Sequence, residues 1–178
     1  MEQFDPSRLP EGGCVTLIGM AGAGKSTLGR LLADATGWAQ VDTDRLIEAY
    51  FGARLQDIFD TVGREAFVAA EELVVARLKV THCIVSTGGS VIYGAGAVKQ
   101  LKRLGPVVFL RAGIDAISAR VGAGLDRGLA IAPGQTVGDL YAERLPLYEA
   151  AADFAVDTDT NTPRQAADAV LAWLRGEA

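Results

Sequence analysis

With 178 residues, the chain is little longer than one typical domain of roughly 150 residues, and a single domain over 1–178 is expected. Its 17 Lys+Arg against 22 Asp+Glu leave a net charge of −5, so no overall positive field can hold a nucleic acid or an anionic membrane. At 49% hydrophobic residues the chain is too apolar for disorder, yet no apolar run approaches the roughly 20 residues that cross a bilayer.

The first dozen residues read as a loose lead-in. Met1 to Pro6 show no basic stretch followed by an apolar one, so no secretory leader is read and a cytoplasmic location is expected. A first strand is predicted at 15–18, and Cys14 beside it, like Cys83 further on, reads as a buried reduced thiol behaving as a small hydrophobe. Next comes Gly19-Met20-Ala21-Gly22-Ala23-Gly24-Lys25-Ser26, which fits the G-x-x-x-x-G-K-[ST] pattern between an apolar run and a helical one. Glycines let such a loop turn successive backbone N–H groups toward phosphate oxygens, and the helix that follows adds the positive end of its dipole. Lys25 supplies a point charge for the β- and γ-phosphates, and the Ser26 hydroxyl suits Mg²⁺.

A helix is predicted over 25–36 and a second strand over 39–41, followed by Asp42-Thr43-Asp44 at the carboxyl end of a parallel strand, where open α/β sheets bind ligands. Asp42 can polarise Mg²⁺ waters or take a hydroxyl proton, and Asp44 can accept hydrogen bonds from a polar acceptor; the bland alternative is that one of them only caps a helix. A helix over 64–79 carries Ala66, Phe67, Ala70, Leu73, Val74 and Leu78 as one apolar stripe. His82, the only histidine, reads as a strand-edge residue rather than a ligand or base. Strand 83–86 runs into Thr87-Gly88-Gly89-Ser90, where absent side chains let a ligand approach the backbone.

Beyond it are predicted a helix over 95–104, a strand over 107–110, a helix over 112–120 ending in Arg120, and a glycine-rich segment over 122–134 with Arg127, read as a mobile loop. A helix over 137–151 contains Arg144 ahead of Pro146, whose kink can aim the guanidinium inward. A fifth strand at 154–156 and a helix over 163–175 complete the chain. Short buried strands alternating with helices make the class α/β, and no internal repeat is present.

Taken in order, these pieces resemble the shikimate kinase family of P-loop small-molecule kinases from Cys14 to Arg175. The matching segments are Gly22-Ala23-Gly24-Lys25-Ser26-Thr27, Asp42-Thr43-Asp44 with Ile47-Glu48, the stretch from Gly63 to Glu71, Thr87-Gly88-Gly89, Arg120, the surroundings of Arg127, Arg144 with Pro146-Leu147-Tyr148, and Val156-Asp157-Thr158 with Pro163. The resemblance implies a P-loop NTPase fold with a five-stranded parallel sheet in order 2-3-1-4-5, helices on both faces, and a lid at about 122–134 closing over ATP. It implies that Gly22 to Thr27 cradle the nucleotide, that Arg120 packs on adenine, that Arg127 reaches the phosphates, and that the loop from Asp157 to Pro163, Asn161 included, lines the adenine pocket. Lys25, Asp42, Asp44 and Arg127 are the expected catalytic residues. Asp44, Gly88, Gly89 and Arg144 are expected at the acceptor, and Ser26 and Asp42 at Mg²⁺.

Departures from the family pattern cluster at the acceptor. Where the family reads Gly-Glu-x-x-Phe-Arg, with that Arg clamping the carboxylate of shikimate, the chain has Gly63-Arg64-Glu65-Ala66-Phe67-Val68. The third turn glycine is Ser90, and the lid's Arg-Pro-Leu is Arg127-Gly128-Leu129. Loss of a bidentate charge-assisted contact normally costs about 1.5–3 kcal/mol, so a changed acceptor is expected unless Arg64 or Arg45 restores the clamp.

The leading expectation is an ATP- and Mg²⁺-dependent kinase acting on a hydroxyl of a small carboxylate. A hydroxy amino acid such as homoserine is favoured over shikimate, because Arg144 and Asp44 suit a zwitterion. The alternative is a genuine shikimate kinase of aromatic amino-acid biosynthesis, and a gluconate-type kinase is weaker. A regulatory nucleotide-binding module would have let Lys25, Ser26, Asp42 and Arg127 decay. The expected partner is a small-molecule acceptor taken up by a monomer, without nucleic acid or membrane.

Overall fold

The computed structural model describes residues 13–122, 131 and 134–177. The expected lead-in and most of the glycine-rich segment, Arg127 with it, lie outside these residues. Five parallel strands, β1 (Cys14–Ile18), β2 (Ala39–Asp42), β3 (Cys83–Ser86), β4 (Val107–Arg111) and β5 (Phe154–Asp157), form one sheet in the order β2-β3-β1-β4-β5. Each lies within two residues of its predicted position. β1, β3 and most of β4 are buried at every position, which is why they read as unbroken apolar runs rather than alternating ones.

The helices are α1 (Lys25–Thr36), α2 (Thr43–Phe51), α3 (Leu55–Ala76), α4 (Ala95–Leu104), α5 (Ile114–Gly122), α6 (Val137–Ala151) and α7 (Pro163–Arg175). The connection from β1 to β2 runs one way along the sheet and those through α3, α4 and α6 run the other. Right-handed crossovers therefore place α1 on one face and α3, α4 and α6 on the opposite face. α7 packs on α1, and α3 on α4, as that arrangement requires.

Two elements differ from the sequence reading. Thr43 to Phe51 forms a helix with Asp42 as its cap, and Leu55 opens a helix well before the expected start at 64. α3 is bent at Gly63 (φ 76°, ψ 173°), so the predicted helix is its second limb. The first limb escaped because its apolar residues Leu55, Ile58 and Phe59 pack with Ile47 and Phe67 in a small cluster of their own beside the main core. His82, at φ 54°, occupies the turn into β3 and its ring meets Trp38 edge-on. Both cysteines are buried thiols that form no disulfide. No helix among the described residues is long and apolar enough to cross a membrane.

Candidate active site

The onward connections of β1 and β3 leave in opposite directions, and a crevice opens at such a switch point beyond the strands' carboxyl ends. A cleft of about 740 Å³ lies there, within the size range of small-molecule sites. It is lined by Gly22, Ala23, Gly24, Lys25, Ser26, Thr27, Asp42, Asp44, Gly88, Gly89, Arg120, Arg144 and Asn161, so every candidate named from the sequence, save Arg127 outside the described residues, meets in one place.

At its centre is the loop between β1 and α1. Gly22 (φ 81°) and Gly24 (φ 97°) adopt the left-handed backbone that side chains disfavour, which turns the chain back on itself. A Cβ at Gly19 would stand 2.8 Å from the Leu110 carbonyl oxygen, so this glycine permits β1 to leave the sheet against β4. The α1 N-terminus has no capping side chain and no acidic residue in its first turn. Its open N–H groups and positive dipole end therefore face the cleft, which fits a nucleotide's phosphates. The Lys25 ammonium donates to the carbonyls of Gly19 and Met20, each at 2.8 Å, closing the loop on itself. Desolvation pushes this ammonium down to about 8 against the opposing pull of Asp44 and Asp42.

Ser26 and Asp42 border the same space. Their hydroxyl and carboxylate are hard oxygen donors beside the phosphate loop, which fits an ion that draws its remaining oxygen ligands from phosphates, as Mg²⁺ does. Asp42 Oδ1 accepts from the Asp44 backbone N–H at 3.0 Å and caps α2, so the bland reading of this residue is realised alongside its place on the cleft.

Toward one end, Arg120 donates to the Gly22 carbonyl at 3.1 Å and reaches Asp159 at 3.4 Å, tying the loop to the segment after β5. That segment is organised by Asp157, whose carboxylate accepts from the backbone N–H groups of Thr160 and Asp159 and is lowered in pKa by them. Asn161 donates its side-chain amide to the Asp157 carbonyl at 2.9 Å.

At the other end, Arg144 is 1% exposed although charged. Its Nε donates to the Tyr93 hydroxyl at 3.2 Å, and its guanidinium lies 5.3 Å from the Tyr93 ring centre. The Gly88–Ser90 turn is fastened from several sides. Gly88 N–H donates to the Thr43 hydroxyl at 3.1 Å, and Tyr148 donates to the Gly89 carbonyl at 2.6 Å. A Cβ on Gly88 would overlap Glu71 Oε1 and stand 2.5 Å from Asp44 Oδ1, and one on Gly89 would stand 2.9 Å from the Arg144 guanidinium.

Glu71 is the residue that the sequence reading overlooked. It is 1% exposed; Oε2 accepts from the Ser90 hydroxyl, and Oε1 has no hydrogen-bond partner among the described residues. Desolvation, reinforced by Asp44, pushes its carboxyl up to about 7. A signal was available: Glu71 interrupts the apolar stripe of α3 one turn after Phe67. The side chains offered as replacements for the missing clamp also part company. Arg45 pairs with Glu48 at 2.6 Å with its side chain 70% exposed, whereas Arg64 reaches Tyr93, beside Arg144.

A sequence model of the family described as shikimate kinase matches residues 21–175. The shikimate kinase of Pseudomonas aeruginosa is 38% identical over 162 residues, which is 89% of this chain and 94% of that protein. That of Moorella thermoacetica is 35% identical over 169 residues, 91% and 96% of the two chains. Among solved structures, the Acinetobacter baumannii shikimate kinase in complex with shikimate superposes with a TM-score of 0.83 at 31% identity, covering 92% of this chain and 93% of that one. Kinases of this kind use ATP and Mg²⁺, in keeping with the uncapped glycine loop and its lysine. Matched over nearly its whole length in sequence and in fold, the chain belongs to the shikimate kinase family.

Proposed function

We propose that this kinase transfers the γ-phosphoryl group of ATP to a hydroxyl of shikimate. The observation that carries the reading is one cleft joining an uncapped phosphate loop to a buried guanidinium, with a carboxylate between them. Such an end suits an acceptor that is itself a carboxylate bearing hydroxyls. Shikimate is favoured because the compared relatives are named for it and one was solved with it. The homoserine expected from the sequence has no such support.

In this reading Lys25 exchanges its two carbonyl partners for phosphate oxygens, while the N–H groups of Gly22, Gly24 and Thr27 surround the phosphates and the Ala23 N–H, donating to the Met20 carbonyl, holds the loop's turn. Ser26 and Asp42 would hold Mg²⁺, which would supply positive charge against the phosphates. Asp44 accepts a hydrogen bond from the acceptor hydroxyl and orients it, and Asp42 is the alternative base. Gly88 and Gly89 admit the acceptor by the absence of side chains, and Arg144 holds its carboxylate. Arg120 and Asn161 flank the adenine, and the segment 122–134 with Arg127 is assigned as the lid that excludes water.

One observation favours a second reading. Asp44 lines the cleft beside Gly88, where a zwitterion such as homoserine would set its ammonium. ADP release measured with shikimate, homoserine and gluconate decides between them. The highest kcat/KM is expected with shikimate. Turnover of homoserine without shikimate would overturn the main reading, and ADP release indifferent to every acceptor would overturn the kinase reading.

A further inference from the structure

Arg64 follows the bend at Gly63 and precedes Val68 by four residues, so the two share one face of α3 a turn apart. Its guanidinium lies 5.3 Å from the centre of the Tyr93 ring, the same separation as that of Arg144. Arg64 Nη2 donates to the Tyr93 hydroxyl at 3.1 Å, and Arg144 Nε donates to the same oxygen at 3.2 Å. Two donors bound to one oxygen stand about 6 Å apart or less, a gap that a single carboxylate spans when each of its oxygens takes one charge-assisted bond of about 2.8 Å.

We propose that Arg64 is the second carboxylate-binding residue of the acceptor site, taking up from one turn earlier on α3 the part left open by Val68. The inference rests on the reading that the acceptor is shikimate or another hydroxylated carboxylate. Arg64 is already seated for the task, since its Nη2 holds the Glu143 carboxylate at 2.6 Å and the Tyr93 hydroxyl donates to the same Glu143 oxygen at 2.8 Å. Both of these Arg64 bonds come from one nitrogen of a fork that carries five N–H donors, so the rest of the fork can turn to a ligand without breaking the pair. Glu143 is fixed from its far side by Gln135 at 2.8 Å, and the hydrogen bond from Tyr93 holds its pKa below the ordinary range. It therefore stays ionised and keeps Arg64 on the Tyr93 hydroxyl, next to the cleft-lining Arg144. Among the described residues the other candidate, Arg45, faces solvent on α2.

A purely structural pair between α3 and α6 would change stability and leave acceptor choice alone. The test compares shikimate with its uncharged methyl ester in wild-type protein and in Arg64→Gln and Arg64→Lys. Arg64→Gln is expected to raise KM for shikimate about tenfold or more, with KM for ATP and for the ester unchanged. Arg64→Lys should fall between, and it carries the comparison if the glutamine variant does not fold. Unchanged KM for shikimate, or equal losses with acid and ester, would overturn the role of Arg64 and leave the acceptor assignment standing. Absence of shikimate turnover in the wild-type protein would overturn that assignment and this inference with it.

Discussion

Replacing Glu71 by Gln tests the electrostatics of the acceptor end. Desolvation displaces this carboxyl from an ordinary 4.5 to about 7, with Asp44 adding to it and the Ser90 hydrogen bond, Arg144 and Lys25 opposing. Between those values the folded chain keeps a proton that the unfolded chain has released, so folding takes up protons and stability falls as pH rises. The contribution is fully present below about 4.5 and is lost as pH passes through about 7. At roughly 1.4 kcal/mol for each pKa unit the whole span is about 3 kcal/mol, most of which falls between pH 5 and 8. Glutamine keeps an oxygen for Ser90, offers Asp44 an N–H in place of a like charge, and cannot ionise. Urea unfolding of both proteins at pH 5 and pH 8, followed by tryptophan fluorescence, should show the variant gaining about 2 kcal/mol or more on the wild type over that interval. A stability difference that is the same at the two pH values would refute the assignment of a neutral, desolvated Glu71.

Three further outcomes are expected. Lys25→Ala should lower kcat at least about a hundredfold, the loss typical of one preorganised electrostatic donor, with the unfolding transition retained; turnover near wild type would defeat the phosphate-loop reading. Gly88→Ala drives a methyl group into Glu71 and Asp44, so a loss of about 1–3 kcal/mol in stability and a raised acceptor KM are expected by unfolding and steady-state kinetics, and a variant indistinguishable from wild type would show that this turn has slack. Val68→Arg puts a guanidinium three residues from Glu71 on one helix face; because Arg64 already stands beside Arg144, kcat/KM for shikimate should change by less than about threefold, and a tenfold gain would mean that a second guanidinium had been missing.

The sheet and the phosphate loop were legible in the sequence because both are written locally. A parallel strand buried on two faces needs a short apolar run, as in Cys83–Ser86, and a phosphate cradle needs glycines and a lysine at fixed spacing, as in Gly19 to Ser26. Strand order, by contrast, came only with the family resemblance, since pairing β1 with β3 rather than β2 is a long-range choice. The acceptor end was the least legible part. Val68 announced a missing charge, but whether Arg45 or Arg64 stood nearby depended on the bend at Gly63 and on Tyr93, reached across 29 residues of chain. Glu71 looked like one more acidic residue on a helix. Its place in the apolar stripe of α3 hinted at burial, but only the packing of that helix under the Gly88–Ser90 turn makes it a desolvated acid, because desolvation is set by what surrounds a group in space.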